Sequence, residues 1–216
     1  ILLAVVWVNS PDNLISFTLY YCFLKGIIPE NQIIGGKMLN PVDAALVLVD
    51  FQGRLAEIVD RSELVVPNLM RLVKGAQALE MPILATVQVP DKLGPALPEL
   101  SEALGDTPIF SKAAFSAMRE PEFLLALKRS GRKQFILGGI EAHVCVLQTG
   151  LDLLDAGYEV HILSDGAFSR TAENLDLALQ RMHDAGATVT SVEIALFELI
   201  RTSQHPAFRT ISKLVK

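Results

Sequence analysis

Cysteine is scarce in this sequence of 216 residues, and basic residues are fewer than acidic ones. Only two cysteines are present, Cys22 and Cys145, too few for the disulfide framework of a small secreted domain. We therefore expect a reducing, cytoplasmic environment. The 19 lysines and arginines are outnumbered by 24 acidic residues, which gives a formal net charge of −5 with no long basic run. A chain of this charge lacks the electrostatic surface that binds nucleic acid or anionic lipid, so we expect no nucleic-acid partner.

Signatures of metal and nucleotide sites are missing as well. The four histidines are dispersed and form neither an H-x-H nor an H-E-x-x-H pattern, and no C-x-x-C occurs. There is no G-x-x-x-x-G-K-[ST] phosphate loop, and Gly138-Gly139-Ile140 lacks the G-x-G-x-x-G spacing of the dinucleotide fingerprint. We therefore predict no metal and no cofactor, and a small molecule as the partner of any site.

Residues 1–37 differ in composition from the rest of the chain. They contain Trp7, the only tryptophan, and no methionine, since the first methionine is Met38. Their apolar run from Asn13 to Leu24 is shorter than the roughly 20 residues that a membrane-spanning helix needs. A secretory signal would have a basic start and a small-residue cleavage site, and neither is present. We interpret residues 1–37 as an extension of unknown role that need not be native. Residues 38–216 are then the functional domain, with no membrane partner.

From Met38 onward, short apolar runs alternate with longer segments of helical periodicity. The apolar runs predict strands that are buried on both faces, as in a parallel sheet. The predicted strands are Leu46–Val49, Ile83–Val87, Phe135–Leu137, Val160–Leu163 and, more weakly, Thr188–Thr190. The predicted helices lie around Leu64–Val73, Phe123–Leu127, Leu147–Leu154, Leu175–Met182, Ile194–Thr202 and Ala207–Leu214. This order predicts one α/β domain of three layers, with a doubly wound, mostly parallel sheet between two layers of helices.

Ligands of a doubly wound sheet bind beyond the carboxyl ends of its strands. Two charged residues at or near such positions are candidate site residues. Asp50 directly follows the run Leu46–Val49, where a partly desolvated carboxylate can act as a general base. Taken alone, it is equally typical of a helix N-cap. Lys112 lies among small and aromatic residues in the segment Phe110–Ser116, where an ammonium can hold a carboxylate or a developing negative charge. Taken alone, it is more typical of a solvated surface lysine.

Cys145 follows another predicted strand, after a pair of glycines. Gly138 and Gly139 predict a sharp turn or a close backbone approach. A helix that begins near Ala142 or His143 would hold Cys145 in its first turn, where the helix dipole and free amides lower the thiol pKa and can receive an oxyanion. The alternative is a buried, inert cysteine. His143 lies two residues away and off the Cys145 face, so we interpret it as structural.

Asp50, Lys112 and Cys145 together resemble the Asp-Lys-Cys triad of the isochorismatase-like cysteine hydrolases. The resemblance extends from about Met38 to Lys216, and it is closest to the small isochorismatase-domain hydrolases. The segments that carry it, in order, are Val47–Gln52, Leu93–Leu100, Gly139–Thr149, Ala195–Leu199 and His205–Ser212. The resemblance implies a three-layer α/β/α, Rossmann-like fold, which agrees with the strand and helix pattern.

The resemblance also implies a mechanism for these residues. Asp50 would accept the thiol proton, and the Cys145 thiolate would attack an electrophilic carbon. Lys112 would keep Asp50 ionised and in place. Backbone amides of Glu141 and Cys145 would hold the oxyanion, and the family's non-proline cis peptide bond would fall between Ile140 and Glu141.

Departures from the family pattern narrow the range of expected substrates. Nicotinamidases of the family carry an Asp/His metal cluster after the second strand, whereas residues 86–93 contain no histidine. Family members that cleave a vinyl ether usually lack the cysteine, so Cys145 favours hydrolysis of a small amide-type C–N bond. Val87 stands where the similar branch commonly has Glu, so we expect a different pocket wall.

Two alternatives stay open beside this hydrolase. One is a non-catalytic oligomeric protein that retains the fold, and the other is an ether hydrolase of the isochorismatase type. An apolar content of 50% and oligomeric relatives predict a homo-oligomer.

Overall fold

The computed structural model of the chain describes residues 38–216, which form one unit. The predictions for residues 1–37, an extension of unknown role that includes Cys22, lie outside the described residues. Within residues 38–216, no helix is long and apolar enough to cross a membrane.

A parallel sheet of six strands forms the middle layer of this unit. The strands are β1 (Ala44–Val49), β2 (Ile83–Gln88), β3 (Ile109–Lys112), β4 (Gln134–Ile140), β5 (Glu159–Phe168) and β6 (Thr188–Thr190). They pair in the order β3-β2-β1-β4-β5-β6, and each of the five pairings is parallel. This is the doubly wound arrangement, and the predicted α/β fold class is confirmed.

Helices cover both faces of the sheet. They are α1 (Leu55–Ile58), α2 (Val65–Ala78), α3 (Pro90–Leu93), α4 (Pro98–Leu104), α5 (Pro121–Ser130), α6 (Leu147–Asp155), α7 (Ala172–Asp184), α8 (Val192–Ile200) and α9 (Phe208–Leu214). One hydrophobic core joins Leu46 and Leu48 of β1 to helices α2, α8 and α9. A second core joins Val47 and Val49 to α5, α6 and α7. Because successive strand residues point to opposite faces, β1 needs an unbroken apolar sequence to fill both cores.

The structure adds elements that the apolar pattern does not predict. Strand β3 is four residues long and lies at the sheet edge, with Ser111 exposed and Lys112 buried. A half-buried edge strand with polar residues has no continuous apolar run, so it was predicted only as a segment around Lys112. Helices α1, α3 and α4 are short, between four and seven residues, and they were missed for the same lack of periodicity.

Gly139 allows β4 to lie very close to β1 just before the site. Its φ angle is +125°, and it pairs in register with Val49. A Cβ atom at this position would lie 2.0 Å from the carbonyl oxygen of Val49. The close backbone approach predicted at Gly138-Gly139 is therefore confirmed, and only glycine fits the backbone there.

Gly139→Ala should therefore destabilise the protein strongly. The added methyl would collide with the β1 backbone in an unfavourable φ region, so we expect a loss of about 3 kcal/mol or more in the free energy of unfolding. Gly157→Ala is the matched control, because Gly157 also has a positive φ of +84° but has open space around its Cβ direction. That control should lose only about 1–2 kcal/mol. Denaturant unfolding curves measure both, and equal losses would contradict the steric explanation.

Candidate active site

The residues that the sequence singled out meet at the carboxyl edge of four neighbouring strands. Asp50 follows β1, Lys112 ends β3, and Cys145 follows β4. Strands β1 and β4 are adjacent in the sheet although their connections lead to opposite sides, which makes this the topological switch point of the fold. Gln88, at the end of β2, lies between the strands that carry Asp50 and Lys112.

Asp50 is fully buried and bonded on both carboxylate oxygens. Its Oδ1 accepts a hydrogen bond of 2.9 Å from the Thr86 hydroxyl, and its Oδ2 lies 2.7 Å from Nζ of Lys112. Burial raises the pKa of Asp50, and the neighbouring ammonium opposes that rise. The nearest helix, α1, begins at Leu55, so Asp50 does not serve as its N-cap. A carboxylate with a raised pKa is better matched to accept a proton from a thiol.

Lys112 is buried too, so it is not a solvated surface lysine. Besides Asp50, its Nζ has three acceptors: the side-chain carbonyl of Gln88 at 2.5 Å, the backbone carbonyl of Phe115 at 2.9 Å, and that of Ala114 at 3.2 Å. An ammonium has three N–H donors, so four acceptors engage all of them. Lys112 is thereby fixed beside Asp50 and acts on the site through its charge.

The loop after Lys112 is held by a carboxylate from the following segment. Backbone N–H groups of Ala113 and Ala114 donate to Oε1 of Glu120 over 3.0 and 3.2 Å. This contact orders the turn whose carbonyls receive the Lys112 ammonium.

Cys145 lies in a π-helical turn, Ala142–Val146, that leads into α6. It is a free thiol with 7% of its surface exposed. The hydroxyl of Thr149 donates to the Cys145 carbonyl over 2.7 Å and holds the turn in place. Single π turns inside helices are frequent at functional sites.

The ionisation of Cys145 differs from the sequence prediction. Burial and the neighbouring Asp50 carboxylate raise the pKa of the Cys145 thiol to about 12, although Lys112 acts in the opposite direction. The prediction of a lowered pKa was wrong, because the helix start is desolvated and has a carboxylate beside it. Cys145 is therefore a thiol at neutral pH and needs a base to become a nucleophile. The charge of Asp50 acts on this thiol, which makes Asp50 the candidate base.

Ile140 and Glu141 connect β4 to the π turn. The peptide bond between them is cis, at the position where the family resemblance implies one. The Glu141 carbonyl accepts the N–H groups of Val144 and Val146, over 3.1 and 3.2 Å. Glu141 and Cys145, whose backbone amides were predicted to hold an oxyanion, thus belong to one continuous turn.

The His143 side chain contacts two polar side chains beside this turn. Its Nδ1 lies 3.0 Å from the Ser169 hydroxyl and its Nε2 lies 3.4 Å from Nη2 of Arg170. Arg170 also forms an ion pair of 2.6 Å with Glu141. These contacts agree with a structural role for His143. Arg170, which follows the end of β5, connects that segment to Glu141.

Two buried glutamines were missed by sequence reasoning. The Gln52 side chain bonds both backbone groups of Gln88: its amide donates to the Gln88 carbonyl over 2.9 Å, and its carbonyl accepts the Gln88 N–H. The Gln88 side chain in turn donates to the Ala113 carbonyl over 2.8 Å, and its Oε1 lies 4.0 Å from Sγ of Cys145. The one sequence signal was position, since Gln88 follows an apolar strand as Asp50 does.

Clusters of three or more His, Cys, Asp or Glu side chains that could hold a metal ion are not found among residues 38–216.

Removing the Lys112 ammonium should leave a charged carboxylate buried without its partner. We expect Lys112→Met to reduce the free energy of unfolding by about 3–5 kcal/mol. The double variant Asp50→Asn/Lys112→Met removes both charges and should be clearly more stable than the sum of the single losses predicts. Denaturant unfolding of the four proteins gives the coupling, and strictly additive losses would contradict a buried ion pair.

The raised thiol pKa should appear in the pH dependence of Cys145 alkylation. In a Cys22→Ser protein, iodoacetamide labels only Cys145, and intact-mass spectrometry gives the rate. We expect the rate to keep rising above about pH 10, where an ordinary thiol of pKa about 8.5 is almost fully ionised and its rate has levelled off. Free cysteine under the same conditions is the reference. A plateau at or below the pH where free cysteine levels off would contradict the raised pKa.

Comparisons with known proteins identify the family of the chain. A model of the isochorismatase domain matches residues 44–194. The chain is 40% identical over 182 residues to the secreted isochorismatase effector Isc1 of Phytophthora sojae, which covers 82% of this chain and 87% of that protein.

Two solved structures share the fold over most of the chain. The MAR1 ribonuclease of Caenorhabditis elegans superposes with a TM-score of 0.78 at 38% identity, covering 83% of this chain and 92% of that one. The YcaC protein of Escherichia coli, described as an octameric hydrolase of unknown specificity, superposes with a TM-score of 0.76 at 26% identity, covering 83% and 96%. The domain match and the curated relative establish that this chain belongs to the isochorismatase family of hydrolases.

Proposed function

We propose that the protein is a cysteine-dependent hydrolase that cleaves a small amide-type C–N bond, with Asp50, Lys112 and Cys145 as its catalytic triad. The observation that carries this proposal is the buried Asp50 carboxylate, which lies 2.7 Å from the Lys112 ammonium and whose charge acts on the Cys145 thiol. A nucleophile, a base that acts on it and a third group that orients the base are the parts of a covalent mechanism.

In the first half of the reaction, Asp50 takes the thiol proton and Sγ attacks the substrate carbonyl carbon. The carbonyl oxygen becomes an oxyanion, for which the backbone amides of Glu141 and Cys145 are the proposed donors. The tetrahedral intermediate collapses when the C–N bond breaks, and Asp50 returns the proton to the departing nitrogen. The products of this half are an acyl thioester on Cys145 and a free amine or ammonia.

In the second half, Asp50 accepts a proton from a water molecule, whose oxygen attacks the thioester carbonyl. The C–S bond breaks, the carboxylic acid leaves, and the proton on Asp50 returns to Sγ. Lys112 holds Asp50 in position through both halves, because its own donors are occupied by four acceptors.

The environment of the pair supports proton transfer between them. A thiol of pKa about 12 cannot lose its proton efficiently to an ordinary carboxylate. Burial raises the pKa of Asp50 as well, which brings the acceptor closer to the donor. Attack on the carbon then consumes the thiolate as it forms.

The amide class is favoured over the vinyl-ether chemistry of isochorismatases because of Cys145, which supplies the nucleophile that acyl transfer requires. The near-complete burial of the triad favours a small substrate, since only 7% of the Cys145 surface is open to solvent.

A ribonuclease activity, as described for the C. elegans neighbour, is an outcome that the test must also cover. The chain carries a net charge of −5, which does not favour binding of a polyanion. We therefore propose a small molecule rather than RNA as the substrate.

The test is a screen of small primary amides, carbamoyl compounds and nitriles, with a short RNA as an additional arm. For any turned-over compound, Cys145→Ala should lower the rate by about 10³-fold or more, because it removes the attacking atom. Cys22→Ser is the matched control and should keep the activity. Undiminished turnover by Cys145→Ala would rule out the triad mechanism. A folded protein with no turnover would favour the non-catalytic alternative, and RNA cleavage alone would favour the ribonuclease.

We also propose that copies of this chain assemble with one another in a reducing, cytoplasmic compartment. The E. coli neighbour is described as octameric, which supports assembly. The Phytophthora sojae relative is described as secreted, so the compartment needs its own test. Light scattering of the purified chain and fractionation of its source cells address these two points.

A further inference from the structure

We infer that Gln88 is a fourth residue of the active site, a positioning residue whose side-chain carbonyl fixes the Lys112 ammonium and receives the Cys145 thiol. The inference deepens the proposed function and rests on it, since Gln88 acts through Lys112 and Cys145.

The orientation of the Gln88 amide follows from the chemistry of its neighbours. An ammonium can only donate, so the atom that faces Lys112 at 2.5 Å must be the oxygen Oε1. A backbone carbonyl can only accept, so the atom that faces the Ala113 carbonyl at 2.8 Å must be the nitrogen Nε2. Both neighbours demand the same orientation, and it directs Oε1 toward Sγ of Cys145, 4.0 Å away.

The backbone of Gln88 is fixed as firmly as its side chain. Gln88 pairs in register with Lys112 across β2 and β3, and Gln52 bonds both its N–H and its carbonyl. The next residue, Val89, has a φ of +36°, which is an outlier for a β-branched residue. Its N–H donates to the Lys112 carbonyl over 2.9 Å. Strained backbone of this kind persists where the surrounding structure over-determines it, and it clusters at functional sites.

This placement has a consequence for the charges around the thiol. A neutral carboxamide accepts from Lys112 without competing as a charge with Asp50, so the ammonium stays paired with the base. The second lone pair of Oε1 accepts the S–H group, which favours the protonated thiol. Gln88 thus helps to keep Cys145 protonated until Asp50 removes the proton.

Two substitutions of Gln88 should shift the pH profile of Cys145 alkylation in opposite directions. Gln88→Glu keeps the shape but adds a negative charge next to Sγ and a competitor for Lys112. We expect it to shift the pH profile of Cys145 alkylation to higher pH by about one unit or more, a roughly tenfold slower reaction at neutral pH. Gln88→Met removes the acceptor and frees a Lys112 donor for the thiolate, so its profile should shift to lower pH.

The experiment measures iodoacetamide labelling of Cys145 across pH in the Cys22→Ser protein, by intact mass. Gln148→Glu is the matched control: it makes the same change three residues from Cys145, but on an exposed side chain whose charge is screened by water. It should leave the profile unchanged. A purely structural role for Gln88 would loosen the site in both variants and shift both profiles toward that of an ordinary thiol.

The inference is overturned if Gln88→Glu leaves the profile in place or shifts it to lower pH while the variant remains folded by circular dichroism. If that variant does not fold, Gln88→Met decides. An unchanged or upward-shifted profile overturns the inference, and so does a profile that coincides with that of free cysteine, which a loosened site would give. Failure of the proposed function gives other results, which do not depend on the Gln88 variants. In that case the protein with an unaltered triad turns over no amide, or Asp50→Asn leaves the pH profile of Cys145 alkylation unchanged.

Discussion

Two full charges meet in the interior of this protein, where the Lys112 ammonium lies 2.7 Å from the Asp50 carboxylate and neither side chain is exposed. Removing both from water costs several kcal/mol per ion, which their attraction repays only with good geometry and further hydrogen bonds. The surrounding residues supply hydrogen bonds to both charged groups. Thr86 binds the carboxylate, and Gln88 with two loop carbonyls binds the ammonium. The loop itself is held by Glu120.

The order of the sheet makes this arrangement attainable. Asp50 and Lys112 come from strands separated by β2, and Gln88 at the end of β2 fills the space between them. On the other side of β1, Gly139 lets β4 lie against the β1 backbone, which carries Cys145 to the same edge. The site thus depends on Gly139 and on the buried amide of Gln88, which take no direct part in the proposed reaction, as much as on the proposed triad.

Burial and the ion pair together set the ionisation of the thiol. Burial, and after it the charge of Asp50, raise the pKa of Cys145 to about 12, although Lys112 acts in the opposite direction. A preformed thiolate would react with any electrophile that reached it, whereas in the proposed mechanism this thiol becomes a nucleophile only when Asp50 takes its proton. Under that proposal, selectivity comes from the coupling of deprotonation to a bound substrate.

The sequence alone indicated a parallel α/β domain, because apolar runs such as Leu46–Val49, which are typical of strands buried on both faces, alternate with segments of helical periodicity. Together with the family resemblance, it also singled out Asp50, Lys112 and Cys145, which the fold brings to one edge. Tertiary structure decided the rest. Strand β3 and Gln88 depend on pairing between segments 24 residues apart, which no local sequence pattern records. The direction of the Cys145 pKa depends on desolvation and on a charge contributed from β1, and burial exists only once the chain has folded.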